Sequence, residues 1–172
     1  TYGVCNGFQI LVKMNAFGEG EKRDVTLTNN DAGFFYNGWV NLKVDSNSRC
    51  IFTKGLGDLY LPVRHGEGKF VTANDEALER LRSNGQVVMR YVDSRGNVAT
   101  KFPENPNGSV DGIAGICDKT GRIFGTMPHF EAFSHMTNHP QYSRLKRIRG
   151  ADVDYMEPDG IKLFRNAVAY FS

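Results

Sequence analysis

Cysteine is scarce in this sequence: Cys5, Cys50 and Cys117 are the full complement of its 172 residues. Three widely spaced thiols do not make a disulfide framework, and they suit a reducing, cytoplasmic setting. No pair of Cys or His stands at zinc-site spacing, so no metal site is expected. No apolar run approaches the roughly 18 residues that span a bilayer. The first residues lack the basic segment and small-residue cleavage site of a secretory leader. An excess of one charge is missing too. With 21 Lys and Arg against 19 Asp and Glu, the net charge is +2, which gives no electrostatic case for nucleic acid or membrane binding. Internal repeats and linker-like stretches are absent, so residues 1–172 read as one domain.

What the sequence does have is a reactive-looking turn at its start. Gly3-Val4-Cys5-Asn6-Gly7-Phe8-Gln9 places a thiol between two glycines, ahead of an amphipathic run of Ile10, Leu11, Val12 and Met14. This pattern predicts a sharp strand-to-helix turn with Cys5 at its apex, the glycines being needed because side chains would crowd it. A helix N-terminus aimed at the sulfur favours a thiolate. The backbone N–H of Asn6 stands where an oxyanion would develop if Cys5 attacked a carbonyl. Gln9, four residues after the thiol, falls on the same helix face. The plain alternative is a buried cysteine that happens to lie between glycines. Because Thr1-Tyr2-Gly3-Val4 reads as the tail of a strand, the chain is expected to be the later part of a larger fold.

A nucleophilic cysteine needs a base, and the base an orienting group. His129 follows a strand end in Gly125-Thr126-Met127-Pro128-His129-Phe130-Glu131. In an extended segment Glu131 would lie on the same side as His129 and could fix its tautomer. His65, in His65-Gly66-Glu67-Gly68, is the rival base, although the glycines there suit a ligand-binding wall. His135 and His139 lie in a polar stretch and read as surface histidines.

The rest of the chain predicts a mixed α/β domain. A helix is expected over residues 7–14, then a charged turn over 19–23. Strands are expected at 25–28, within 34–44, and at 50–52, 58–64 and 86–92. Asn74 is a fitting N-cap for a helix over 75–84 that stops at Gly85. Val87, Met89 and Tyr91 should share a strand face. Residues 113–117 and 122–127 form a hairpin, with a turn at 118–121. Residues 128–154 read as a polar loop. The last element is a helix from Asp159, with Ile161, Phe164, Val168 and Phe171 at helical spacing.

Taken together, the Cys5 heptad and Pro128-His129-Phe130-Glu131 resemble the class I (triad) glutamine amidotransferases. Arg64-His65-Gly66-Glu67-Gly68-Lys69-Phe70, Asn105-Pro106-Asn107-Gly108-Ser109 and Ile113-Ala114-Gly115-Ile116-Cys117 narrow the likeness to the branch serving phosphoribosylformylglycinamidine synthesis in de novo purine synthesis. The resemblance implies an α/β fold with a flavodoxin-like sheet, flanking helices and added β-hairpins, of which this chain is the C-terminal portion. It implies a glutaminase with Cys5 as nucleophile, His129 as base and acid, and Glu131 as the orienting carboxylate. Asn6, Gln9, His65, Gly66 and Glu67 are then the substrate-binding residues. The implied substrate is glutamine. The implied partner is a synthetase that receives ammonia and itself uses ATP and magnesium, this chain holding no cofactor.

Two departures stand out. Phe130 occupies the position where the family usually has proline, removing a φ restriction. The family's glycine-rich loop, which donates the second oxyanion N–H, has no counterpart here, and losing one such donor costs roughly 10²–10³ in rate. The 172 residues alone are therefore expected to be nearly inactive. Two alternatives remain: the glutaminase of another triad amidotransferase, or a non-catalytic subunit of the same fold.

Overall fold

The computed structural model describes residues 1–18, 20 and 23–172. The charged turn expected over 19–23 falls mostly outside them. Six strands form the main sheet. In chain order they are β1 (Tyr2–Val4), β3 (Tyr36–Val44), β4 (Asp58–His65), β6 (Val87–Val92), β7 (Ile113–Cys117) and β8 (Phe124–Thr126), and in space they run β1-β8-β7-β6-β3-β4. Only the β1–β8 pair is parallel. The remaining strands, β2 (Val25–Thr28) and β5 (Lys69–Thr72), make a small antiparallel ribbon.

Two apolar clusters cover the faces of the main sheet. In one, α1 (Asn6–Lys13) and α2 (Asp75–Ser83) contribute Phe8, Val12, Leu78 and Leu81, packed with Phe70, Ile113 and Met127. The other joins Leu42, Leu61, Val63 and Phe124 to Phe130, Phe133 and Leu163, the last from α4 (Asp159–Phe171). Fully burying one such side chain is worth about 1.5–3 kcal/mol. The expected caps form. Asn74 Oδ1 accepts the Ala77 N–H at 2.9 Å, and Gly85 ends the segment at φ 65°.

Several expected details differ. Residues 51–53 form a 3₁₀ turn rather than a strand, because the chain must turn there to let Ile51 N–H reach the Gly121 carbonyl (3.1 Å). The segment 128–154 is not a simple loop. It holds 3₁₀ turns at Phe130–Ala132 and Met136–Asn138 and the helix α3 (Tyr142–Arg149), tied down by Tyr142 Oη donating to Asp154 (2.6 Å). No residue of α3 is fully buried, so that helix carries no apolar stripe for periodicity to reveal. On α4 the buried residues are Gly160 and Leu163, whereas Val168 and Phe171 are exposed. Val87 packs in a different cluster from Met89 and Tyr91, since register shifts along β6 break the strict alternation.

The two glycines of the Cys5 turn have different reasons. A Cβ on Gly3 would stand 2.6 Å from the carbonyl carbon and oxygen of Gly7, whereas one on Gly7 would meet nothing within 4 Å. Urea denaturation should therefore separate them. Gly3→Ala is expected to destabilise by about 1–3 kcal/mol through backbone overpacking. Gly7→Ala should be neutral or stabilising, by up to about 1 kcal/mol, through helix propensity.

Candidate active site

Cys5 caps the N-terminus of α1 with φ 51° and ψ −107°. A non-glycine residue rarely holds such a backbone, and where one does the strain concentrates at functional sites. Neighbouring bonds hold the turn in place. The Cys5 N–H donates to the Thr126 carbonyl at 2.8 Å, and the Gln9 N–H returns to the Cys5 carbonyl at 3.1 Å. The first N–H groups of a helix have no intrahelical acceptor, so those of Asn6 and Gly7 stand available beside the half-exposed thiol. The sulfur is 3.7 Å from the Arg64 carbonyl oxygen.

His129 arrives three residues after β8 and is anchored from the opposite edge of the sheet, its N–H donating to Pro62 of β4 at 2.8 Å. Proline suits an edge strand because it has no N–H to leave unpaired. Thus β4, at the far end of the strand order from β1, offers its Pro62 carbonyl to the base and its Arg64 carbonyl to the nucleophile. The sheet is curled so that its two edges meet at the site.

Glu131 reaches His129 by a different route from the expected one. The segment is not extended: His129 precedes the 3₁₀ turn, and Glu131 lies in it. The tight turn still brings Glu131 Oε1 to 2.6 Å from His129 Nδ1. His129 Nε2, on the other side of the ring, is buried and finds no partner of good hydrogen-bond geometry among the described residues. It faces the Cys5 sulfur, whose own contact is the Arg64 carbonyl. Cys5 foremost, then Glu131, raise the His129 pKa from 6.5 to about 9. Burial acts to raise the Glu131 pKa, but the His129 hydrogen bond and the charges of His129 and Arg64 hold it below the ordinary carboxylate value. An imidazolium beside a thiol, oriented by a carboxylate, is the activated Cys–His arrangement of covalent catalysis.

The remaining expected residues gather around this pair. Gln9 Nε2 donates to the Glu67 carbonyl at 2.8 Å, so Gln9 and residues 65–67 form one wall; the Glu67 and Asn6 side chains are exposed. His65 does not act as the base. It is 3% exposed, its Nδ1 faces Asn30 Oδ1 at 3.2 Å, and burial, then the charge of His129, lower its pKa to about 4. His139 is not a plain surface residue. It packs against Trp39, Tyr60 and Phe133 with ring centroids 5.5–5.9 Å apart, and burial lowers its pKa.

Three residues without a functional signal in the sequence support the site. Asn30, expected only to break a strand, clasps the 65–68 loop. Pro62 anchors the base. Tyr91, fully buried, accepts from Asn107 Nδ2 at 3.1 Å; burial drives its pKa far up, and the Cys5 charge adds to that. Asn107 in turn accepts from Ser109 Oγ at 2.6 Å, so the 105–109 turn braces the ground beneath the nucleophile. A cavity of about 480 Å³ lined by Lys43, Arg82 and Arg90 lies elsewhere and is spanned by Arg90–Asp45 and Arg90–Asp111 ion pairs of 2.6 and 2.9 Å. Among the described residues no His, Cys, Asp and Glu group could hold a metal, and no helix is long and apolar enough to cross a membrane.

The two imidazoles should titrate in opposite directions, as read by ¹H–¹⁵N NMR. His129 should stay charged through neutral pH to about 9, and its midpoint should fall in Glu131→Gln. His65 should stay neutral down to about 4. Its unfolded pKa is near 6.5, so the unfolded chain binds the extra proton. Folding stability should therefore drop as pH falls from about 6.5 to 4, by up to about 3 kcal/mol from this group. The slope should flatten in His65→Gln.

Comparison with known proteins gives the geometry a family. Residues 1–171 match the CobB/CobQ-like glutamine amidotransferase domain. The chain is 39% identical over 179 residues to phosphoribosylformylglycinamidine synthase subunit PurQ of Methanococcus maripaludis, covering 99% of this chain and 65% of that protein. It is 42% identical over 171 residues to the subunit of the same name from Dehalococcoides mccartyi, covering 98% of this chain and 62% of that one. Among solved structures it resembles a chain of PurLQS from Thermotoga maritima at a TM-score of 0.67 and 29% identity, covering 99% of this chain and 61% of the other. The chain thus spans a little under two thirds of the length of these relatives. An elbow cysteine, a carboxylate-backed histidine and a match along nearly its whole length agree: the chain belongs to the CobB/CobQ-like glutamine amidotransferase domain family.

Proposed function

We propose that the chain carries the glutaminase centre of a phosphoribosylformylglycinamidine synthase. The observation that carries this reading is the His129 ring, held 2.6 Å from Glu131 on one side and facing Cys5 with its orphaned Nε2 on the other. Family membership and the names of the relatives support it.

In this mechanism the Cys5 thiolate attacks the side-chain carbonyl carbon of glutamine. The resulting oxyanion is stabilised by the Asn6 N–H. As the C–N bond breaks, His129 Nε2–H protonates the departing nitrogen, leaving a glutamyl thioester and ammonia. His129, now neutral, takes a proton from water, whose oxygen attacks the thioester. Glutamate leaves and Cys5 is restored. Glu131 keeps the imidazole oriented and stabilises its charged form. Gln9 and the His65–Glu67 wall, with Gly66 free of side-chain bulk, hold the substrate. The ammonia passes to a synthetase partner that uses ATP and magnesium to make formylglycinamidine ribonucleotide. Three free cysteines suit a cytoplasmic setting.

A glutamine-like electrophile, read by peptide mass spectrometry, should label Cys5 and spare the buried Cys50 and Cys117. Cys5→Ala should abolish glutamine-dependent synthesis while external ammonia still supports it. Glu131→Gln should lower glutamine turnover by about 10²–10⁴-fold, the range of acid–base catalysis. Labelling that persists in Cys5→Ala would refute the assignment.

A further inference from the structure

Two thiols remain to which the Cys–His–Glu chemistry gives no task. Cys50 and Cys117 are 1% and 0% exposed, and their side chains are hydrogen-bonded to each other. Backbone contacts around them hold the pair together. The Gly85 carbonyl accepts both the Arg49 N–H (3.0 Å) and the Cys117 thiol (3.8 Å). The Ile51 N–H donates to Gly121 at 3.1 Å, and the Cys117 N–H to Gln86 at 2.8 Å. A Cβ on Gly121 would stand 2.0 Å from the Arg49 carbonyl oxygen. The chain on either side of Cys50 therefore lies directly against the hairpin turn that follows β7. Thiols held in contact meet the first geometric requirement of a disulfide.

The two sulfurs are not equivalent. Burial acts to raise the Cys50 pKa, but hydrogen bonds from Cys117, then from Phe52 and Thr53, bring it below the ordinary thiol value. Thr53 Oγ1, buried and with no other partner among the described residues, faces the same sulfur. The bond to Cys50, then burial, push the Cys117 pKa far up. Cys50 is thus the nucleophilic sulfur, and Cys117 keeps its hydrogen. A cavity of about 510 Å³ lies beside them, with Ser48 and Thr53 in its lining. Both residues also touch the pair. Ser48 Oγ accepts the Cys50 N–H at 3.3 Å, and its side chain is hydrogen-bonded to Cys117. A small neutral oxidant has room to wait there, one residue away from the sulfurs.

We propose that Cys50 and Cys117 are a site of reversible oxidation, closing to a disulfide when the protein meets a peroxide. The Cys50 thiolate attacks one peroxide oxygen. An S–O bond forms, the O–O bond breaks, and the departing oxygen takes up a proton to leave as water. The Cys117 sulfur then attacks the Cys50 sulfenic acid. The S–S bond forms, the S–O bond breaks, and the hydroxyl leaves as water with the Cys117 proton. Two thiols lose two electrons in total, and hydrogen peroxide becomes two waters. The bond ties the segment before β4 to the end of β7 across a long loop, so it stabilises the fold. A dithiol reductant reopens it.

Cys5→Ala removes the competing reactive thiol. The full-length variant is treated with hydrogen peroxide, alkylated under denaturing conditions without reductant, and digested. Mass spectrometry should find the Cys50 and Cys117 peptides joined, and dithiothreitol should part them. The thermal midpoint should rise by about 5–15 °C on oxidation and return on reduction. The same cross-link should form in the parent protein, so the result does not hang on one variant. With Cys117→Ser added, dimedone should trap a sulfenic acid on Cys50. With Cys50→Ser added instead, Cys117 should resist trapping. Free Cys50 and Cys117 thiols after oxidation, or a cross-link that forms only in urea, would overturn the proposal. So would Cys50 carried irreversibly to the sulfonic acid with no bridge, or trapping on Cys117 as readily as on Cys50.

Discussion

The bond from the Cys5 N–H to the Thr126 carbonyl, 2.8 Å long, extends the parallel ladder of β1 and β8 one residue beyond Val4. The site depends on it. It brings the first turn of the chain beside the strand that ends just before His129. It also sets the direction of α1, whose Phe8 packs so closely on Gly125 that a Cβ there would meet its ring at 2.1 Å. The second constraint is the edge strand β4. Its Pro62 carbonyl fixes the backbone of the base, and its Arg64 carbonyl lies against the nucleophile. The curled sheet therefore acts as a clamp in which each reacting group is held by a strand remote from it in sequence.

Electrostatics then divides two neighbouring imidazoles into different roles. His129 is drawn to the charged form by a thiol and a carboxylate. His65 is kept neutral by burial and by the charge of His129. Because their environments push the two apart, a charged and a neutral imidazole lie close together. The buried polar groups behind them, Asn30, Asn107, Ser109 and Tyr91, are hydrogen-bonded to one another or to backbone, which is the condition under which a buried network rigidifies rather than weakens a fold.

Much of this was legible in the residues because its causes are local. The Cys5 elbow, the Asn74 cap, the Gly85 stop and the 118–121 hairpin turn each follow from short-range chemistry. So does the pairing of His129 with Glu131, although the turn that achieves it is 3₁₀ rather than extended. What stayed hidden is set by packing across the fold. Val168 and Phe171 are spaced like Ile161 and Phe164, yet both are exposed, and the buried positions of α4 are Gly160 and Leu163. Helix α3 shows no apolar stripe because only Tyr142 and Leu145 pack, partly buried, against the core, while the Tyr142 hydroxyl and the Lys146 ion pair with Asp154 (2.8 Å) tie it down. Asn30 and Pro62 serve the site through partners more than 30 residues away, a relation no periodicity encodes.

At the centre of the account is one sulfur atom that becomes acylated by its substrate and is then freed by the histidine beside it. The most direct measurement is rapid acid quenching of the full-length protein during turnover of isotope-labelled glutamine, followed by peptide mass spectrometry. The account predicts a hydroxylamine-sensitive glutamyl group on the peptide bearing Cys5, accumulating further when His129 is replaced by a residue that cannot activate water but still allows acylation. Turnover with no adduct on Cys5, or with the label on Cys50 or Cys117, would contradict it.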